Sequence, residues 1–134
     1  MASNSTSADR LLLAPVSIGE LVDKITILRI KAECFVGTAQ HHVSKELTLL
    51  ESTLASAPVQ PPSDLVHQLA GVNQQLWQIE DSIRDCERRQ CFESEFIELA
   101  RSVYITNDQR AALKKQINLH CGSVLVEEKG YASY

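Results

Sequence analysis

The strongest constraint on the fold is a regular apolar pattern between residues 65 and 86. Apolar side chains recur there in alternating steps of four and three residues over three heptads. The positions are Leu65, Leu69, Val72, Leu76, Ile79, Ile83 and Cys86. This spacing gathers the apolar side chains on one face of a long helix, and that face has to be buried against other helices. The pattern therefore predicts a helical bundle.

A shorter apolar stripe lies upstream at residues 43–54, and three prolines follow it within residues 57–62. Because proline lacks the backbone donor that a helix needs, these residues predict a turn between two helices. So short a turn returns the chain antiparallel, which predicts a helical hairpin over residues 43–91. The later helix is expected to be longer by about four turns. Either other helices or a second subunit must cover its remaining apolar face, and we expect a homodimer.

The first helix is predicted to begin at Ser17, which stands at capping-box spacing from Glu20. Its apolar residues face two sides, so we expect this helix to be central in the bundle. Only a few of its residues, Asp23 and Lys24 among them, are expected to be exposed to solvent. Gly37 is the residue predicted to end it.

A further helix is predicted from Ser94, and Thr106 and Gln109 again stand at capping-box spacing, which predicts a fifth helix from about Asp108. Gly122 is the expected end of that helix. The chain is thus expected to be all-α, a four- or five-helix bundle built on an antiparallel helical hairpin.

The two ends of the chain are expected to lie outside the helices. Residues 123–126 are short and β-branched, so they either pair with residues 11–13 as two strands or form a short extended C-terminal tail. We expect residues 1–14 to be a flexible leader and residues 15–134 to be a single helical domain.

Composition argues against two classes of partner. The net charge is −4, from 13 Lys and Arg against 17 Asp and Glu, and only 5% of the residues are aromatic. Such a chain has neither the positive field nor the stacking side chains of a typical nucleic-acid binder. No signal peptide is recognisable, and no apolar stretch approaches the ~20 residues that span a bilayer. We therefore expect a cytoplasmic protein with no nucleic-acid or membrane partner.

Motifs for metals and cofactors are not found in the sequence. The four cysteines form no C-x-x-C pair, and the five glycines are isolated, so no phosphate-binding loop is present. Neighbouring histidines point to different faces of a helix, which argues against a metal site. We expect no metal and no cofactor.

Charged and aromatic residues along the helices provide candidate ligand contacts. Glu80 and Arg84 are four residues apart and lie beside Trp77, where a salt-bridged helix flank and a polar groove are both consistent with the sequence. Gly71 on the same helix predicts that another element approaches closely there. The ligand-binding candidates are Lys24, Arg29, Trp77, Arg84, Arg101, Lys129 and Tyr131, and the catalytic candidates are Glu80 and Lys24.

Four sequence segments together resemble a family of short, uncharacterised bacterial proteins, a domain of unknown function. The segments are VSIGELVDKITIL at residues 16–28, VNxxLWxIED at 72–81, FIELARSVYxxND at 96–108 and EEKxY at 127–131. The resemblance covers about residues 16–134. It implies a bacterial cytosolic protein and a link with cell-surface glycan gene clusters, but no catalytic residues.

The C-terminal residues 127–131 are expected to be ordered although they contain few apolar side chains. We predict that they dock near residues 104–108, with Lys129 close to Asp108 or Glu98 and Tyr131 as the anchor at the bundle or at a subunit interface. A structural clasp is one role for such a segment, and a lid over a ligand site is the other.

Two functions follow from these patterns. The first is a non-enzymatic module for protein interaction or oligomerisation, because heptads are present and catalytic motifs are not. The second is a small-ligand-binding protein or mutase-type enzyme for an anionic metabolite, since the Lys24 segment is similar to the first helix of chorismate mutases, which are small all-helical enzymes. In that case Lys24, Arg29, Arg84 and Arg101 would bind the anion and Glu80 would act as general acid or base.

Overall fold

The computed structural model describes residues 10–134, and these residues form four α-helices and no strand. The helices are α1 (Ile18–Cys34), α2 (Gly37–Ala55), α3 (Ser63–Arg89) and α4 (Ser94–His120). The predicted all-α bundle is confirmed, and the residues after Gly122 are extended, as one of the two alternatives predicted. Residues 1–9 of the predicted leader lie outside the described residues, and the single domain over residues 15–134 stays a prediction.

Helix α1 is the centre of the bundle, as predicted. The Ser17 hydroxyl accepts a hydrogen bond from the backbone N–H of Glu20 at 3.1 Å, which caps the helix at the expected residue. Helix α1 packs against each of the other three helices. Its side chains Val22 and Ile25 are almost fully buried, because a helix with apolar residues on two sides is covered on two sides.

The pairing of the long helices differs from the prediction. Helix α3 packs along α4, and α2 packs on α1, so the predicted hairpin of α2 with α3 is wrong. An apolar stripe requires burial but does not specify the helix that provides it. Helices α3 and α4 have 27 residues each. Because α4 matches α3 in length, the uncovered apolar face from which we expected a homodimer is not present.

The predicted break near Thr106 is also wrong, because α4 continues through it to His120. Thr106 is buried, Asn107 accepts a hydrogen bond from Arg110, and Asp108 binds the C-terminal tail. Burial, a bond within α4 and a contact with the tail therefore account for these polar side chains, and none of them caps a helix. Thr, Asn and Asp occur both at helix caps and in other hydrogen bonds, and the sequence alone does not distinguish the two. The pattern therefore predicted a new helix start.

Close backbone approach occurs at Gly19 and not at Gly71. A Cβ atom on Gly19 would lie 2.6 Å from the Lys114 carbonyl oxygen and 2.8 Å from Asn118 Oδ1. The Gly19 N–H donates to that same Asn118 oxygen at 2.8 Å, which fixes the start of α1 against α4. A Cβ on Gly71 would meet no atom within 4 Å, so the close contact predicted there is absent.

The apolar core lies where α1, α3 and α4 meet. Its buried residues are Val22, Leu69, Leu113 and Ile117. None of the helices within residues 10–134 is long and apolar enough to cross a membrane. All four cysteines are free thiols, of which Cys86 is buried and Cys34 is exposed.

Candidate functional site

A buried carboxylate on α1 organises the polar interior of the bundle. Asp23 is only 1% exposed, although the sequence pattern predicted that it lies on the solvent-exposed face of the helix. Arg110 on α4 donates to both carboxylate oxygens, from Nε at 2.9 Å and from Nη2. Asn73 on α3 donates from Nδ2 to Asp23 Oδ1 at 3.0 Å and to the Thr26 hydroxyl at 2.9 Å. Asp23 therefore ties three helices together through hydrogen bonds.

A second cation, Lys114, lies one turn further along α4. Its Nζ atom lies 2.8 Å from Glu20 Oε2 and 3.0 Å from Glu127 Oε1, and 3.9 Å from Asp23 Oδ2. Lys114 is buried, whereas Glu127 belongs to the C-terminal tail and is exposed. One of its two close partners therefore comes from the bundle and the other from the tail.

The protonation states of this network follow from its contacts. Burial raises the pKa of Asp23, but hydrogen bonds from Arg110 and Asn73 and the charges of Arg110 and Lys114 outweigh it, and the net pKa lies below the ordinary value. Burial likewise lowers the pKa of Lys114, and hydrogen bonds with Glu20 and Glu127 more than compensate, so its pKa is raised. Both side chains are therefore charged at neutral pH.

An open groove lies beside this network, between α4, the start of α1 and the C-terminal tail. Its volume is about 1260 Å³, and Arg110 and Lys114 contribute to its wall together with the exposed Lys115. The other lining side chains that carry charge or an aromatic ring are Glu20, Tyr104, Asp108, Glu127, Glu128, Lys129, Tyr131 and Tyr134. The groove thus combines cations, carboxylates and tyrosine rings in one surface.

The C-terminal tail docks on α4 at the predicted place. Lys129 Nζ lies 2.9 Å from Asp108 Oδ1, as predicted, and the Tyr134 hydroxyl donates to Asp108 Oδ2 at 2.7 Å. The Tyr134 ring meets the Tyr104 ring edge to face, with centroids 5.1 Å apart. These contacts make Tyr134 the anchor on the bundle in place of Tyr131, which is 85% exposed, and an anchor role of Tyr131 at a subunit interface stays a prediction.

The groove brings together only part of the candidate residues from the sequence. Lys129 and Tyr131 line it, with Lys129 Nζ 5.6 Å from the centre of the Tyr131 ring. Arg29 instead pairs with Glu51 on α2, and Arg101 pairs with Glu98.

The candidates on α1 and α3 lie elsewhere on the molecule. Trp77 packs against Phe35 with ring centroids 6.4 Å apart. The exposed residues Lys24, Glu80 and Arg84 are not among the groove residues. The predicted set of anion-binding cations does not converge in one pocket.

Sequence reasoning missed the three side chains that organise the site, which are Asp23, Arg110 and Lys114. The available signal was a carboxylate in a helix with apolar residues on two sides, because such a helix leaves little room for an exposed charge. Asn73 gave a second signal, since it directly follows a heptad position and is buried. Buried polar groups need partners, and these two residues are hydrogen-bonded to each other.

Comparison with known proteins gives a family but no function. Residues 13–134 match a family described as a family of unknown function (DUF6165). The match spans nearly the whole chain, so the chain belongs to this family. Searches of curated proteins and of solved structures found no match.

Proposed function

We propose that this member of a family of unknown function binds a small anionic molecule in the groove beside Arg110 and Lys114. The observation that carries the proposal is that both cations are held in fixed positions by carboxylates of α1. Arg110 is fixed by Asp23, and Lys114 is fixed by Glu20. Cations that are already ordered lose little conformational entropy when an anion binds, which favours affinity.

The geometry of Arg110 also leaves part of its guanidinium available. Nε and Nη2 donate to Asp23, whereas Nη1 has only a long contact of 3.5 Å to Asn107 Oδ1. The Arg110 side chain is 29% exposed and faces the groove. A ligand oxygen can therefore accept a hydrogen bond from Nη1 without breaking the pair with Asp23.

Calorimetric titration with inorganic phosphate, citrate and glucuronate tests this proposal. The variant Lys115→Glu reverses an exposed charge in the groove, and Lys45→Glu makes the same change on α2, outside the groove. We expect the wild type to bind at least one probe, and Lys115→Glu to weaken that binding about fivefold or more while Lys45→Glu has little effect. Equal weakening by both variants, or binding of none of the probes, contradicts the proposal.

The resemblance to bacterial proteins narrows the ligand further. A bacterial, cytoplasmic protein connected with cell-surface glycans would bind an acidic sugar, and glucuronate represents that class. The catalytic candidates from the sequence, Glu80 and Lys24, do not line the groove. A reaction in the groove would therefore have to use other residues. For the groove we therefore propose binding and no reaction.

We infer self-association as a second role from apolar side chains at the end of the bundle where α1 begins and α4 ends. Leu12 and Leu13, which precede α1, are 98% and 96% exposed, and Leu119 and Val124, at and after the end of α4, are 66% and 96% exposed. The hydrogen bond from the Gly19 N–H to Asn118 places the start of α1 and the end of α4 at the same end of the bundle. Contiguous exposed apolar surface favours protein contact, and a second copy offers the same apolar surface in return.

Sedimentation velocity over a range of concentrations tests the second role. We expect a mass of twice the 14.9 kDa chain for the wild type and for Val36→Ser, an exposed position at the other end of α1. The double variant Leu12→Ser, Leu13→Ser is expected to be monomeric. A monomeric wild type at every concentration contradicts the dimer, and so does a dimer that the double variant leaves unchanged.

A further inference from the structure

We propose that the C-terminal segment, residues 123–134, is an internal competitor for the ligand, with Glu127 in the position that a ligand carboxylate takes on Lys114. The inference rests on the proposed function and names its ligand class, a monocarboxylate that carries a ring. Its basis is that the segment forms one wall of the groove and presents those two chemical groups to the bundle.

The first group is the Glu127 carboxylate. It lies 3.0 Å from the Nζ atom of the buried Lys114, while Glu127 itself is more than half exposed. Lys114 already has a carboxylate partner in the bundle, Glu20 at 2.8 Å. The contact with Glu127 is therefore the one that can be exchanged without leaving a buried charge unpaired.

The second group is the Tyr134 ring. It lies edge to face with Tyr104, and its hydroxyl donates to Asp108. Tyr104 lies on α4 and stays with the bundle when the segment moves. A ligand ring can take the place of the Tyr134 ring on Tyr104, and a ligand hydroxyl can donate to Asp108 in the same way.

Charge favours a single carboxylate over a phosphate. Four cations and four anions line the groove, and the buried Asp23 beside it adds one more negative charge. Release of Glu127 leaves four positive and four negative charges at the groove. Binding of one carboxylate then restores the net charge of −1 that the groove has with Glu127 in place. A dianionic phosphate would add an extra negative charge to the groove.

The segment is held in a way that permits exchange. Its polar contacts to the bundle are a backbone hydrogen bond from Ser123 to Asn118, the ion pair of the exposed Glu127 with the buried Lys114, the ion pair of Lys129 with Asp108, and the contacts of Tyr134, which is 79% exposed. Its apolar residues Val124, Leu125 and Val126 are exposed rather than inserted into the core. Glu127 and Tyr134 are more than half exposed, and contacts of such groups contribute little stability each, so the segment opens at low cost.

The test is calorimetric titration of the full chain with glucuronate, 4-hydroxyphenylacetate and inorganic phosphate. Glu127→Gln removes the competing charge, and Glu128→Gln makes the same change at a neighbouring groove residue. We expect Glu127→Gln to bind at least one carboxylate about fivefold more tightly than the wild type, and Glu128→Gln to stay within about twofold. If glucuronate binds more tightly than 4-hydroxyphenylacetate, the ring of the ligand is a sugar. If 4-hydroxyphenylacetate binds more tightly, the ring of the ligand is aromatic.

The outcomes separate this inference from the proposed function. If the wild type binds a probe but Glu127→Gln binds no better than Glu128→Gln, the internal competitor is wrong and the anion site stands. If phosphate binds more tightly than both carboxylates, the ligand class is wrong. If neither the wild type nor Glu127→Gln binds any probe, both proposals are overturned. Because Glu127 is exposed, Glu127→Gln is expected to melt at the wild-type temperature, which shows that the variant is folded.

Discussion

Two ion pairs made by arginine and a carboxylate behave differently in this protein. Asp23 and Arg110 join α1 to α4 with the carboxylate 1% exposed, whereas Arg29 and Glu51 join α1 to α2 with side chains 53% and 43% exposed. Water screens the second pair and replaces its hydrogen bonds, but it cannot reach Asp23. The buried pair fixes the position of a groove residue, and the exposed pair covers a helix surface.

The largest expected effect comes from removing the arginine of each pair in turn. Arg110→Met leaves the Asp23 carboxylate buried without its main partner, and we expect a loss of about 3 kcal/mol in the free energy of unfolding. Arg29→Met is expected to cost less than about 1 kcal/mol. Urea denaturation of both variants measures the difference, and similar losses would show that burial does not distinguish the two pairs.

The start of α1 is the next most sensitive point, because it lies directly against α4 beside the buried pair. We expect Gly19→Ala to destabilise the protein by about 1–3 kcal/mol, since the added Cβ would meet Lys114 and Asn118 at less than 3.0 Å. Thermal and urea denaturation measure this loss. An unchanged stability would mean that α1 can move away from α4 without cost.

Acid should weaken the buried pair selectively. Because the pKa of Asp23 is lower in the folded protein than its ordinary value, its contribution to stability is present above about pH 4 and is lost as the pH falls through the folded pKa. We expect Asp23→Asn to reduce the dependence of unfolding free energy on pH below about pH 4, and Glu51→Gln to leave it nearly unchanged. Urea titrations at several pH values test this, and equal pH dependence in wild type and Asp23→Asn would contradict it.

The smallest expected effect is a gain in stability on α3. Gly71 faces open space in a helix interior, so Gly71→Ala is expected to add about 1 kcal/mol to the free energy of unfolding. The same denaturation experiment measures it beside Gly19→Ala. A loss of stability would show that another element does approach Gly71, as the sequence alone had suggested.

These contrasts also explain how far the sequence could predict the structure. The cap at Ser17, the central place of α1 and the contact of Lys129 with Asp108 were predictable, because each depends on local spacing or on simple charge complementarity. The pairing of α3 with α4 was not, since an apolar stripe does not identify its partner.

The site itself was the least predictable part. Most of the candidate residues from the sequence are charged side chains of the surface, such as Arg29 and Arg101. The groove instead depends on charges whose positions are set by burial, such as Asp23 and Lys114. Burial of a charge is a tertiary property, and only the packing of three helices around Asp23 reveals it.

The groove beside the buried pair is proposed to be a ligand site. The most direct test is an NMR titration of the isotope-labelled protein with glucuronate, in which the shifts of the backbone amide signals are mapped onto the residues. We predict that the signals that shift belong to residues 103–115 and 127–134, which include most of the groove lining. The signals of α2, where the exposed pair lies, are predicted to stay in place. Shifts that concentrate on α2 or α3, or saturating glucuronate that moves no groove signal, would contradict the claim.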